Sequence, residues 1–251
     1  MQEQSGYRLA QEEPSPPQAE PAENELDTFV YAVSHDLKEP LLGIETYATC
    51  LLEDYGARLD ESGRELITTL LGLVADERRM IDAVHAFSTL GRTPLALEEA
   101  DQMPLVSDVL DALAPELRAL NVDIRVPHPL PSAYCDPRLV QGVWRNLILN
   151  AATFNDKPDK WVEIGCTRAR ADAGTVFYVR DNGNGIAKAD WPAVFSMFTR
   201  LTRRTAGPRG VGAGLTLARR IVERHGGTLW VDSRVGEGST FYFTLETERS
   251  R

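Results

Sequence analysis

From Leu26 onward the apolar residues fall at Leu26, Phe29, Val30, Val33, Leu37, Leu41, Ile44, Ala48, Leu51, Leu52 and Tyr55. That alternation of threes and fours predicts one long amphipathic helix, which Gly56 ends. A second stripe follows at Leu66, Leu70, Leu73, Val74, Met80 or Ile81, Val84, Phe87 and Leu90, and stops at Gly91 and Pro94. Two helices of about 30 residues joined by a short polar turn read as an αα-hairpin. A hairpin of this size has too little core to stand alone, so a homodimer that closes both stripes into a four-helix bundle is expected.

Beyond Pro94 the pattern becomes mixed. Helical spacing over 105–120 is followed by a short strand, VDIRV at 122–126, and by helical spacing again over 136–154. Strands are predicted near 161–168 and 175–180, a helix over 215–227, and strands at 228–233 and 240–245. One layer of sheet covered by one layer of helices, an α+β sandwich, accounts for this order. Residues 1–24, with Pro14, Pro16, Pro17 and Pro21 among Glu, Gln and Ser, read as a linker or disordered tail. The expected division is therefore 1–24 linker, 25–94 helical hairpin and 95–251 sandwich domain.

The remaining composition narrows the function. Of 251 residues 43% are hydrophobic, enough for a substantial core, and the net charge is −10. Such a charge argues against a general nucleic-acid or anionic-membrane binder. No apolar run is long enough to span a bilayer and the N-terminus lacks the apolar stretch of a signal peptide, so a cytoplasmic location is expected. Cys50, Cys135 and Cys166, odd in number and far apart, fit neither a disulfide framework nor a zinc site.

Four segments of the second domain carry candidate chemistry. In NLILNAATF (146–154), Asn146 and Asn150 stand four apart on one helix face, where their amides suit a hard cation or phosphate oxygens; surface asparagines are the plainer alternative. In DNGNGI (181–186), Gly183 and Gly185 permit a tight turn against a flat ligand, and Asp181 can accept a hydrogen bond from an exocyclic amine; an ordinary turn is the alternative. FSMFTRL (195–201) leads into a basic stretch holding Arg200, Arg203, Arg204 and Arg209. In GVGAGL (210–215), Gly210, Gly212 and Gly214 run into a helix, an arrangement that lets backbone N–H groups hold phosphate.

Taken in order, these segments resemble the N, G1, F and G2 boxes of the ATP-binding domain of sensor histidine kinases, over residues 98–245, with GEGSTF (236–241) as the closing turn. VSHDLKEPL (33–41) resembles the H box of the same family, in a form most like phytochrome-type kinases. The resemblance implies an α+β core: a dimeric histidine phosphotransfer hairpin followed by an ATP-binding α/β sandwich of the histidine kinase and gyrase type. It implies His35 as phosphoacceptor, Asp36 as its orienting partner and base, and ATP with Mg²⁺ near Asn150 as cofactors. Asn146, Asn150, Asp181, Gly183, Gly185, Gly210, Gly212 and Gly214 would hold the nucleotide. The implied partners are a response regulator receiver domain and an upstream sensor outside this chain, with a photoreceptor suggested by analogy. His85, His128 and His225 are expected to be packing or surface residues.

The chemistry agrees with these roles. A neutral imidazole is a good nucleophile, and a carboxylate on its second nitrogen fixes the tautomer. Lys38 is a lesser candidate for charge stabilisation on the same helix, and Pro40 should bend that helix. Two positions depart from the family's usual pattern. Glu39 replaces the residue that commonly positions water for dephosphorylation, and Thr153 stands where a basic residue is frequent, with Lys157 as a substitute charge. Rival readings are a phosphatase of the phosphorylated regulator, a decayed nucleotide-binding scaffold, and a gyrase- or chaperone-type ATPase that would have no use for HDLKEP on a hairpin.

Overall fold

The two predicted stripes form two long antiparallel helices, α1 (Glu20–Tyr55) and α2 (Glu61–Leu90). The structure, a computed structural model, describes residues 20–91, 93–168, 174–199 and 212–245. Helix α1 begins at Glu20, inside the segment expected to be linker; residues 1–19 lie outside the described residues. Pro21 explains the earlier start, because a fixed φ and a missing N–H suit the first helical turn. Pro40 lies within α1, which continues on both sides of it. The α2 start is capped by Asp60, whose side chain accepts the N–H of Gly63 at 2.7 Å.

Two cross-hairpin ion pairs mark the register of α1 against α2. Lys38 Nζ lies 2.6 Å from Asp82 Oδ1, and Glu45 pairs with Arg78. Along the outer side of the hairpin, Leu37, Ile44 and Leu51 on α1 and Leu66, Leu73 and Phe87 on α2 are exposed although apolar, at spacings of seven and fourteen. This is the seam of a coiled-coil-like bundle lacking its other half.

The sandwich domain runs β1 (Glu98–Asp101), α3 (Gln102–Ala112), α4 (Ala114–Ala119), β2 (Val122–Arg125), β3 (Ser132–Cys135), α5 (Pro137–Thr153), β4 (Lys160–Arg168), β5 (Thr175–Asp181), α6 (Gly214–Arg224), β6 (Leu229–Arg234) and β7 (Gly238–Thr244). The main sheet has the order β2-β4-β5-β7-β6, parallel only at β2–β4. A separate pair, β1–β3, was not legible in the sequence. The single helix expected over 105–120 is broken at Leu113, just before Pro115.

Helix α5 is the spine of the core. Val140, Val143, Trp144, Leu147, Ile148, Ala151 and Ala152 are buried against Val162, Ile164, Phe177, Val179, Phe241 and Phe243 of the sheet. Trp144 meets Phe243 edge-on at 4.9 Å and donates its indole N–H to Gln102 Oε1 at 3.1 Å, which lets a fully buried glutamine sit in an apolar core. The opposite sheet face is open and carries Trp161, Tyr178, Arg180, Tyr242 and Trp230.

Candidate functional site

Helix α5, the turn after β5 and the start of α6 converge on one side of the sandwich. Asn146 anchors its own amide by donating to the Gly142 carbonyl at 2.9 Å, and its Oδ1 faces the first residue of α6. A Cβ added to Gly214 would stand 2.8 Å from that oxygen, so a side chain there would push the Asn146 amide aside. Asn150, one turn further along, is half-buried, and its side-chain amide has no hydrogen bond to a described residue. Its carbonyl oxygen is free for the hard-cation coordination that Mg²⁺ requires.

The Asp-Asn-Gly turn is built to hold one carboxylate. Asp181, 7% exposed at the end of β5, accepts the N–H of Gly183 at 2.8 Å and of Ser239 at 3.2 Å, both through Oδ1. Burial outweighs these bonds and pushes its pKa up to about 6. Asn182 points elsewhere: its Oδ1 accepts from Asn155 at 2.8 Å and from the N–H of Trp161 at 2.9 Å, while its amide donates to the Asp159 carbonyl. This web ties the turn to the segment after α5. Gly185, at φ +67°, lies so close to the Arg234 carbonyl that a Cβ would fall 1.9 Å from it.

Of the glycine run before α6, Gly212 has φ +74° and its carbonyl accepts the N–H of Phe198 at 3.0 Å. Phe195 is held to α6 from two directions: Thr216 donates to its carbonyl at 2.9 Å and the Arg219 guanidinium lies over its ring. Gly210 and the arginines at 200, 203, 204 and 209 lie outside the described residues. Lys157, expected to bring a charge to the nucleotide, instead donates to the Gly236 carbonyl at 2.9 Å and staples the β6–β7 turn.

His35 is exposed on α1, its Nδ1 3.4 Å from Asp36 Oδ1, which leaves Nε2 directed outward. By the register of the Lys38–Asp82 pair, His35 lies level with the α2 turn just beyond Asp82. In that turn Ala83 packs with Met80 against Ala213 and Leu217. Ala213 stands between Gly212 and Gly214, so the candidate phosphate-holding end of α6 docks at the level of His35.

Asp136 and His225 were missed as a joint. Asp136 caps α5 through Oδ1, accepts the Ala96 N–H through Oδ2 at 3.0 Å, and donates its own N–H to His225 Nε2 at 3.0 Å. His225 donates from Nδ1 to the Ile221 carbonyl at 2.7 Å; burial lowers its pKa, keeping the ring neutral. This binds the first residues after the hairpin, α5 and α6 into one unit. The signal was faint: an Asp-Pro pair before a helix and a histidine before two glycines.

A helical hairpin bearing an exposed histidine, followed by an α/β sandwich whose glycine turns face an asparagine helix, defines the class of histidine kinase cores. Residues 135–249 match the family described as Histidine kinase-, DNA gyrase B-, and HSP90-like ATPase. Over 227 residues the chain is 45% identical to Cyanobacterial phytochrome B of Nostoc sp., an alignment covering 90% of this chain and 30% of that protein. Full-length ShkA in complex with AMPPNP superposes with a TM-score of 0.64 at 24% identity, covering 89% of this chain and 48% of that one. Histidine kinase ThkA in complex with response regulator protein TrrA gives 0.62 at 17% identity, covering 91% and 65%. Residues 135–249 belong to that ATPase family, and histidine kinases, phytochrome-type ones among them, are homologues of the chain, which spans 30% of the length of Cyanobacterial phytochrome B.

Proposed function

We propose that this chain is the core of a two-component sensor histidine kinase that phosphorylates His35 from ATP and passes the phosphoryl group to a response regulator aspartate. The observation that carries the reading is the docking of Ala213, beside Gly212 and Gly214, on the α2 turn level with His35. In the proposed reaction the His35 Nε2 lone pair attacks the γ-phosphorus, and the bond from that phosphorus to the bridging oxygen breaks with its electrons leaving on ADP. Asp36 holds the Nδ1 proton, orients the ring and takes that proton as the imidazole becomes cationic. Asp181 receives the exocyclic amine of the base, Asn146 and the α6 N-terminus hold the phosphates, and Asn150 holds Mg²⁺, which when bound neutralises phosphate charge.

The exposed heptad seam supports a homodimer, and no described helix is long and apolar enough to cross a membrane. The proposed partners are a response regulator receiver domain, a reading that the ThkA complex with response regulator protein TrrA supports, and an upstream sensor, for which the likeness to Cyanobacterial phytochrome B suggests a photoreceptor. Glu39, exposed one turn after His35, argues against a dominant phosphatase role, because the amide or hydroxyl that commonly orients water is absent. The test is incubation with Mg-ATP and scoring of acid-labile phosphate on wild type and His35→Ala. Labelling of the wild type alone is expected; equal labelling of the variant overturns the reading.

A further inference from the structure

Helix α1 carries nine acidic residues over 36 positions, and Lys38 is its only lysine or arginine. That single cation lies three residues after His35, on the same side of the helix. Its ammonium is held by Asp82 of α2 at 2.6 Å, yet the two side chains are 42% and 62% exposed, so neither is locked in place. An exposed pair of this kind contributes little to stability and exchanges partners readily. A second pair of opposite polarity, Glu45 with Arg78, lies two turns along α1 and joins α1 to α2 independently.

We propose that Lys38 is a phosphoryl-binding residue that leaves Asp82 for the phosphoryl group arriving on His35. The inference rests on His35 being the phosphoacceptor. A phosphoryl group carries up to two negative charges and three acceptor oxygens, so it outcompetes a lone solvated carboxylate for one ammonium. On α1 itself Asp36 and Glu39 flank His35 with negative charge, and Lys38 is the counter-charge of that helix that offsets their repulsion of an arriving phosphoryl group. The exchange has a second consequence. Asp82 is next to Ala83, which packs on Ala213 at the start of α6. Once Lys38 has moved, an unpaired carboxylate stands beside the docked end of the nucleotide domain. It repels the phosphates of ADP and favours undocking, which exposes the phosphohistidine to the regulator.

The test compares Lys38→Gln, Lys38→Arg and Asp82→Asn in the full chain, reading the autophosphorylation rate at saturating Mg-ATP and KM for ATP. Lys38→Gln is expected to slow phosphorylation about tenfold with KM unchanged, less than for a buried oxyanion donor because the site is half-exposed. Lys38→Arg restores most of the rate. Asp82→Asn, which removes the same ion pair from the other side, leaves the rate equal to wild type or raises it, since Lys38 is released. The two variants lose one clamp but move the rate in different directions, which a purely structural pair cannot do. Equal slowing in Lys38→Gln and Asp82→Asn, or a wild-type rate in Lys38→Gln, overturns the proposal while wild-type labelling at His35 stands. Absence of any acid-labile label on the wild type overturns this proposal and the kinase reading together.

Discussion

Asp181 and Gly183 form a tight polar contact in the candidate nucleotide pocket: the glycine N–H points at Oδ1 from 2.8 Å, and the carboxylate is almost wholly buried. A carboxylate held this way is costly when ionised and well aimed when it meets a donor. The first prediction follows from this tension. With the folded pKa raised from 3.8 to about 6, the folded state binds the proton more tightly than the unfolded state. Stability from this group is therefore fully present below about pH 4 and is lost as pH rises through about 6, a change of roughly 3 kcal/mol at most. Asp181→Asn should thus melt no lower than wild type at neutral pH. Its amide N–H groups would repel the exocyclic amine, so ATP affinity should fall at least about tenfold. In the wild type, ATP affinity should strengthen from about pH 5 to about pH 7, as the carboxylate ionises into the form that accepts the amine. Differential scanning fluorimetry and calorimetric titration check both; a variant that melts lower and binds ATP normally contradicts the assignment.

Gly185 carries the second prediction. Its φ of +67° and the Arg234 carbonyl 1.9 Å from an added Cβ leave no room for a side chain. Gly185→Ala should cost roughly 2–4 kcal/mol, because the β6–β7 hairpin must retreat or the turn must flip. Chemical denaturation measures the loss, and a change under about 0.5 kcal/mol would show that the turn relaxes freely.

Much of this architecture could be read from residue spacing, and what could not has physical causes. The α1 and α2 stripes and the α5 run are long and periodic, so tertiary context had little to add. Strands β1 and β3 escaped because EEAD and SAYC are four residues long and alternate in neither polarity nor β-branching. The glycine turns were legible as candidates because glycine at a close approach has few substitutes. Asn155 and Asn182 were not, since an amide in a loop gives no sign of whether its partner is solvent or, as here, another loop 27 residues away. The contact of Lys157 with the Gly236 carbonyl was hidden for a related reason: charge is visible in a sequence but its backbone partner is not.

Asp36 is the subject of the third prediction. Its Oδ1 lies 3.4 Å from His35 Nδ1, and in the proposed reaction it orients the ring and receives a proton without touching the nucleotide. Asp36→Asn should therefore lower the autophosphorylation rate by about 10²–10⁴ while leaving KM for ATP unchanged. Rapid-quench kinetics at several ATP concentrations separate the two parameters, and a rise in KM with an unchanged rate would place Asp36 in nucleotide binding instead.

The last prediction concerns the uncovered seam. Leu37, Ile44 and Leu51 recur every seven residues on α1, and Leu66 and Leu73 do so on α2; each is between 43% and 68% exposed. Burying such a stripe against a second copy contributes about 25 cal/mol per Å² of apolar surface, far beyond what two solvated helices gain from their mutual contact alone. Charge placed on the seam removes that gain and adds a desolvation cost on both copies, since a symmetric interface meets each substitution twice. Leu51→Glu with Leu73→Glu should convert a dimer to a monomer in sedimentation equilibrium. The sandwich domain, whose core around Trp144 shares no residue with the seam, should keep its ATP affinity. Loss of nucleotide binding together with dimerisation would mean that the sandwich depends on the bundle for its own fold, contrary to the separate core seen around α5.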